Sequence, residues 1–185
     1  MLAALGYNQL QLYTEHTFAY TGHEVVWRDA SPMTHPEMRR LDSLCDRHGL
    51  DLVANMNCFG HMGRWLAHEE YRGRAEAPDG TPAIWGEGVM PPGCLAPTED
   101  NAAFGVGLAR EMASVVRHRR IHIGGDEPFE LGDGVSAAEV AVRGRDHVYL
   151  EHLRRIIEPL VADGHQVMFW ADLFRRDPSL MSELP

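Results

Sequence analysis

Apolar and polar residues follow two different periods along the chain, which predicts strands and helices in turn. Short apolar or alternating runs, which are typical of strands, lie near residues 8–14, 51–57, 120–126 and 166–171. Apolar residues three or four positions apart, which are typical of helices, recur over about residues 34–49, 99–117 and 146–162. This alternation predicts an α/β fold with a parallel sheet and right-handed crossover connections.

Polar residues at the predicted helix starts support these assignments. Thr34 and Glu37 have the spacing of a capping box, in which each side chain bonds the other residue's backbone amide. Ser136 and Glu139 have the same spacing and predict a further helical stretch, which Gly144 interrupts before residue 146.

One long segment, residues 68–97, is rich in proline and glycine and predicts an irregular loop that contains Trp85. Loops of this length in a compact domain are usually functional or disordered. The segment follows a predicted strand, so it lies on the face where the carboxyl ends of the strands emerge. In α/β barrels that face is the catalytic one.

Composition narrows the classes of partner. The chain of 185 residues predicts one domain, residues 1–185, and its net charge of -10 argues against binding nucleic acid or an anionic membrane surface. No apolar run approaches the ~18 residues of a membrane span. The three cysteines form no CxxC pair, and no signal peptide precedes the first strand. We therefore expect a reducing, cytoplasmic location.

All four predicted strands end in polar or aromatic residues. These are Tyr13, Thr14, Glu15 and His16, then Asn55, Asn57, Gly60 and His61, then Asp126 and Glu127, and finally Trp170 and Asp172. Taken singly, each has an ordinary explanation as a solvated acid, a hydrogen-bonded histidine or a packed aromatic ring. The carboxyl ends of adjacent parallel strands meet at one rim. Polar or aromatic residues at all four ends therefore predict a site at that rim.

The stretch "IHIGGDEPFELG", residues 121–132, places two carboxylates directly after an apolar run and two glycines. Successive side chains of a strand point to opposite faces, so both acids reach one site only if strand geometry ends at Gly124 and Gly125. Ordinary glycosidase carboxylates flank the scissile bond, roughly 5 Å apart or more. A neighbouring pair instead favours proton transfer by one acid and substrate positioning by the other.

"HIGGDE" resembles the Asp-Glu motif of glycoside hydrolase family 20, the β-N-acetylhexosaminidases. "NQLQLYTEHTF", "VANMNCFGHMGRWL" and "VMFWADLF" resemble the family's second, third and fifth barrel strands. The wording "LYTEHTFAYTGHE" is most similar to the branch that includes hexosaminidase D. The resemblance covers nearly the whole chain and implies a (β/α)8 TIM barrel, of which this chain supplies about strands two to five.

The resemblance also implies a reaction and roles for six residues. The family hydrolyses terminal β-linked N-acetylhexosamine (GlcNAc or GalNAc) with retention, and the substrate's own 2-acetamido oxygen is the nucleophile. Glu127 would be the general acid and base, and Asp126 would hold the acetamido N–H. The remaining matches are a relay of Glu15 and His61, the aromatic wall Trp170, and the acid Asp172. No cofactor and no metal are implied.

The chain also departs from the family's pattern. A full barrel has eight strands in typically ~250 residues. The family's sugar-binding Arg, on its first strand, and the Tyr and Trp of its later strands have no counterpart here. We therefore expect part of a longer gene or a truncated chain. Two open sheet edges predict poor solubility or pairing with another chain, including a homo-oligomer.

Three other interpretations remain open at this point. "GGDEPF" is similar to the GGDEF motif of diguanylate cyclases, but that motif sits in an antiparallel hairpin and Pro128 breaks it. A metal-dependent hydrolase could use His61, His122, Asp126 and Glu127, although no HxH or HExxH spacing supports it. The third interpretation is a non-catalytic fragment or a degenerate sugar-binding barrel.

Overall fold

The computed structural model describes residues 2–175 and 177–185, which alternate between strands and helices. In chain order the strands are β1 (Gln9–Thr14), β2 (Asp51–Met56), β3 (Thr81–Pro82), β4 (Val89–Met90), β5 (Arg120–His122) and β6 (Gln166–Met168). The helices are α1 (Glu24–Trp27), α2 (His35–Arg47), α3 (Gly63–Leu66), α4 (Glu69–Arg72), α5 (Glu99–Ala113), α6 (Ala137–Arg143) and α7 (Arg145–Ala162). Short 3-10 helices span Ala3–Leu5, Leu173–Arg175 and Pro178–Glu183.

The main sheet has four strands in the order β1-β2-β5-β6, and every neighbouring pair is parallel. The predicted α/β architecture with a parallel sheet is therefore confirmed. In the register, Leu12 lies opposite Ala54, and Ala54 opposite Ile121. The parallel ladder brings the carboxyl ends of all four strands to one edge of the sheet.

The last two strands are shorter than predicted. Regular structure in β5 ends at His122 rather than near residue 126, because Gly124 and Gly125 have φ values of 72° and 92°. Glycine adopts this left-handed region without steric cost. The segment after β6 still pairs with the segment after β5, since the Trp170 amide donates to the Gly124 carbonyl at 2.8 Å.

Helix starts show which capping signals were correct. The capping box of Thr34 and Glu37 is formed at the start of α2, as predicted. The predicted box of Ser136 and Glu139 is wrong, because the Ser136 hydroxyl donates to Glu76 Oε1 at 2.6 Å and leaves α6 without a side-chain cap. The Ser136 oxygen accepts the amide of Gly132 at 3.0 Å instead of an amide of the helix start.

Helix α5 ends at Ala113, earlier than the predicted Arg117. Arg117 is held instead by α2: its amide donates to Asp42 Oδ1 at 3.4 Å and its Nε to Asp42 Oδ2 at 2.6 Å. These contacts take the backbone of Arg117 away from the helical hydrogen-bond pattern.

The core lies between the sheet and helices α2, α5 and α7. Its fully buried members include Met38 of α2, Met112 of α5 and Ile156 of α7, which face Leu52 and Ile121 of the sheet. Burying side chains of this size is the main stabilising term, at roughly 1.5–3 kcal/mol each. No helix in the described part of the chain is both long and apolar enough to cross a membrane.

The segment 68–97 is more ordered than predicted. It contains α4 and an antiparallel pair, β3 and β4, that the sequence did not indicate. The buried carboxylate of Glu76 accepts the amides of Gly132, Gly134 and Ser136. Glu130 reciprocates by accepting the amides of Gly93 and Cys94, at 2.6 and 3.2 Å. The two acids therefore fasten the segment to the loop after β5.

Helix α7 carries a histidine that should make the fold sensitive to acid. His152 is fully buried against Phe59, and neither ring nitrogen has a hydrogen-bond partner within residues 2–175 and 177–185. Burial lowers the pKa of His152 to about 3, and the nearby charge of Arg155 adds to the effect. An unfolded histidine titrates near 6.5, so only the unfolded chain takes up this proton as the pH falls from about 6.5 towards 3.

We therefore expect stability to be full above pH ~6.5 and to fall by about 2–3 kcal/mol near pH 4.5 on account of His152 alone. His152→Leu should remove this part of the decline in urea unfolding measured at several pH values. His147→Leu, at an exposed position of the same helix, is the control and should keep it. Identical pH profiles for wild type and His152→Leu would contradict the prediction.

Candidate active site

Three acidic residues from two strand ends converge on the imidazole of His61. Its Nε2 lies 3.1 Å from Asp126 Oδ2 and 3.6 Å from Glu127 Oε2, and its Nδ1 lies 3.9 Å from Glu15 Oε1. Glu15 follows β1, His61 follows β2, and the acid pair follows β5. The parallel topology therefore brings together four of the six residues that the sequence singled out.

Two glycines allow the strand ends to approach this closely. A Cβ on Gly60 would lie 2.4 Å from the carbonyl oxygen of Asp126, and one on Gly124 would lie 1.8 Å from Asn57 Oδ1. Any larger residue at either position would push the end of β2 away from the acid pair. The glycines before Asp126 thus serve packing as well as the change in backbone direction.

Gly60→Ala should separate this packing effect from backbone strain, because the φ of Gly60 lies outside the left-handed region. We expect a loss of about 1–3 kcal/mol in the free energy of unfolding, since the clash is with backbone. Gly107→Ala is the matched control, because nothing lies within 4 Å of its Cβ on the exposed side of α5. There the substitution should gain about 0.5–1 kcal/mol. Urea unfolding curves that respond alike to both substitutions would contradict the close approach.

Backbone strain marks the same place. His61 and Glu127 have φ values of 57° and 47°, in the left-handed region that residues with a Cβ seldom adopt. Such conformations cost of order 1–3 kcal/mol and cluster at functional sites. In the described residues only Ser31 shares this feature among non-glycine residues.

The central contact has the electrostatics of an ion pair. The contact with Asp126 raises the pKa of His61 above its usual value, against the opposing effect of burial. Burial raises the pKa of Asp126, but the close contact with the charge of His61 outweighs burial, and the net pKa is lowered. Asp126 therefore keeps its negative charge, and His61 is its counter-ion.

A hydrogen-bond chain that sequence reasoning did not connect supports Glu15. Asn57 Nδ2 donates to the Tyr13 hydroxyl at 2.8 Å, and that hydroxyl donates to Glu15 Oε1 at 3.0 Å. Burial and the bond to Glu15 raise the pKa of Tyr13, so the hydroxyl stays a donor. The sequence places Tyr13 and Asn57 at the ends of two different predicted strands, and the parallel register of β1 and β2 brings them together.

The other two predicted site residues lie beside the cluster. Asp172 Oδ2 accepts the backbone amide of Glu127 at 3.4 Å, which links the end of β6 to the acid pair. Trp170 packs its ring on His122, with 4.7 Å between centroids, and is about half exposed. His122 itself is buried and accepts the amide of Gly124, which accounts for it as a structural residue.

A cleft of about 680 Å³ opens beside the acid pair, within the range typical of small-molecule sites. Glu15, His61 and Glu127 form one end of it. Sequence reasoning missed the residues that form the remainder, apart from noting Trp85 in the long loop. They include Arg64, Arg72, Met90, Pro91, Pro92, Phe129 and Glu130.

Two of the alternative interpretations can be compared with this geometry. The cyclase motif needs an antiparallel hairpin around the acids, whereas β5 pairs in parallel with both β2 and β6. The cyclase interpretation is therefore wrong. Within residues 2–175 and 177–185, no group of three or more His, Cys, Asp or Glu side chains is placed to hold a metal ion.

The parallel sheet with its helices is the fold of part of a TIM barrel, and solved structures agree with this fold. The chain is 19% identical to the chitobiase of Flavobacterium johnsoniae, with a TM-score of 0.73 over 91% of this chain and 27% of that one. It is 15% identical to a β-N-acetylhexosaminidase from Bacteroides fragilis, with a TM-score of 0.75 over 95% and 38%. It is 19% identical to an N-acetyl-β-hexosaminidase of Streptomyces plicatus, with a TM-score of 0.68 over 93% of this chain and 34% of that one.

The chain therefore matches part of the TIM-barrel domain of glycoside hydrolase family 20 over about 90% of its length. It spans about a third of the length of those solved chains. No protein-family model and no curated protein matches the chain by sequence. At these identities the likeness concerns the fold, so an activity has to be argued from the site.

Proposed function

We propose that residues 1–185 form part of the catalytic barrel of a β-N-acetylhexosaminidase. The protein would hydrolyse terminal β-linked GlcNAc or GalNAc from glycosides by a substrate-assisted, retaining mechanism. Its substrate would be a carbohydrate with a 2-acetamido group. The similarity of "LYTEHTFAYTGHE" to the hexosaminidase D branch supports a cytoplasmic member of the family.

The single observation that carries the proposal is that Asp126 and Glu127 approach the same nitrogen of His61. The two carboxylates are thus on one side of the site. They are badly placed to flank a glycosidic bond as acid and nucleophile, which ordinary retaining enzymes require. A nucleophile supplied by the substrate resolves this difficulty, because the protein then needs only a proton donor and a charge beside the acetamide.

The geometry supports different roles for the two acids. Glu127 is about half exposed and lines the cleft, where its carboxyl can protonate the departing oxygen and later deprotonate water. Asp126 is less exposed and remains ionised beside His61. Its charge would accept the acetamido N–H and stabilise the positive charge of the oxazolinium ring as that ring forms.

The remaining residues would hold these two in place. His61 contacts both acids and also lies near Glu15, so it would keep the pair oriented as charge shifts between them. Asp172 holds the backbone of Glu127 in place, because its carboxylate accepts a hydrogen bond from the Glu127 amide. Trp170, at the next strand end, would provide the aromatic wall for the acetamido methyl group.

The test compares two 4-nitrophenyl β-glycosides that differ only at C2. The 2-acetamido sugar should be hydrolysed, and the first product should retain the β configuration by NMR. The 2-hydroxyl sugar should give no turnover, because the nucleophile is missing. Comparable turnover of the 2-hydroxyl substrate would refute the proposal.

A further inference from the structure

The part of the cleft beyond the acid pair holds aromatic residues that the proposed mechanism does not use. Trp85 is 74% exposed, and its ring lies 5.9 Å from that of Phe129 in an edge-to-face arrangement. The two come from different segments, one before β4 and one after β5. A large exposed aromatic surface at a cleft is typical of a binding site rather than of ordinary protein surface.

Two arginines line the same cleft on short helices. Arg64 belongs to α3 and Arg72 to α4, and both residues are exposed. Neither guanidinium has a hydrogen bond or ion pair with any residue in the part of the chain that the structure describes. In a chain of net charge -10, two arginines without acidic partners in one cleft indicate a ligand that carries negative charge.

Among the described residues, none of the three acids that line the cleft forms an ion pair with either arginine. Glu15 and Glu127 lie at the strand-end side, next to His61. Glu130 is buried and uses both oxygens to accept the amides of Gly93 and Cys94. The positive charge of Arg64 and Arg72 is thus available to a ligand.

From this arrangement we infer that the cleft binds the aglycone, and that it favours an aglycone with a flat apolar ring face and a carboxylate. A uronic acid residue has this chemistry. Its C–H face would stack on Trp85, with the ring of Phe129 standing edge-to-face beside it, and its carboxylate would accept hydrogen bonds from Arg64 and Arg72. This inference rests on the proposed function, since it assigns the leaving group of that reaction.

Binding without catalysis tests the cleft independently of the reaction. We expect phenyl β-glucuronide to bind about 10-fold more tightly than phenyl β-glucoside in calorimetry at low salt, as one good charge-assisted hydrogen bond would give. The double variant Arg64→Gln/Arg72→Gln should lose this preference, and Trp85→Ala should weaken both ligands. Arg40→Gln, at an exposed position of α2 outside the cleft, is the control and should leave the preference intact.

The catalytic arm compares GlcNAc joined β to glucuronic acid with GlcNAc joined β to glucose. The wild type should show a higher kcat/KM for the acidic disaccharide, and the double arginine variant should not. Phenyl sulfate as a further ligand separates a general anion site from one fitted to carboxylate. Equal affinities of the wild type for glucuronide and glucoside would overturn the inference. Preserved anion binding with no hydrolysis of any glycoside would instead place the failure in the proposed function.

Discussion

Glu127→Gln should reduce hydrolysis of a β-GlcNAc disaccharide by about 10²–10⁴-fold, the usual contribution of general acid catalysis. A sugar alcohol is a poor leaving group and needs a proton as the bond breaks. The amide of glutamine keeps the shape of the side chain in the cleft but has no acidic proton to give. An activated aryl glycoside departs almost unprotonated, so its cleavage should be slowed far less.

The contrast between the two leaving groups is the informative result. Glu139→Gln, at a partly exposed position of α6 that does not line the cleft, is a control that should change neither rate. If Glu127→Gln slowed both substrates equally, Glu127 would act on a step other than protonation of the leaving group.

Asp126→Asn should show the opposite pattern, with a loss on the order of 10²–10³-fold that persists for the activated aryl glycoside. The carboxylate acts on the acetamide while its oxygen attacks C1 and displaces the leaving group, so a better leaving group does not replace this contribution. Asparagine keeps the size of the side chain and loses the charge that orients the acetamide and stabilises the oxazolinium.

The same variant makes a second, spectroscopic prediction. The contact with Asp126 is the main cause of the raised pKa of His61, so Asp126→Asn should lower that pKa in an NMR titration. A merely structural role for Asp126 would not predict both results together. Full activity on the aryl glycoside, with an unchanged His61 titration, would remove Asp126 from the mechanism.

The order and direction of the main strands could be predicted from the sequence, because each depends on a local pattern. Thr34 and Glu37 are an example, since both partners of the capping box lie within one helical turn. The capping box predicted for Ser136 was wrong for the opposite reason, because the Ser136 hydroxyl donates to Glu76, which lies 60 positions away in the chain. No local pattern encodes that choice.

The candidate site likewise has one part that local patterns predict and another part that depends on distant contacts. Glu15, His61, Asp126 and Glu127 could be predicted to converge, because parallel strands bring their carboxyl ends to one edge. The bond between Tyr13 and Asn57 depends on the register of β1 and β2, which the sequence does not specify. The cleft wall depends on how two four-residue helices are oriented, and hydrophobic periodicity is undefined over so short a length.

The claim that the substrate supplies the nucleophile is tested most directly by weakening that nucleophile stepwise. Aryl β-glycosides whose 2-acetamido group carries none, one, two or three fluorine atoms differ mainly in the electron density of the carbonyl oxygen. The substrate-assisted mechanism predicts that kcat/KM falls progressively with each fluorine. Rates that are independent of fluorination would contradict it and would assign the attack on the sugar to a protein carboxylate or to water.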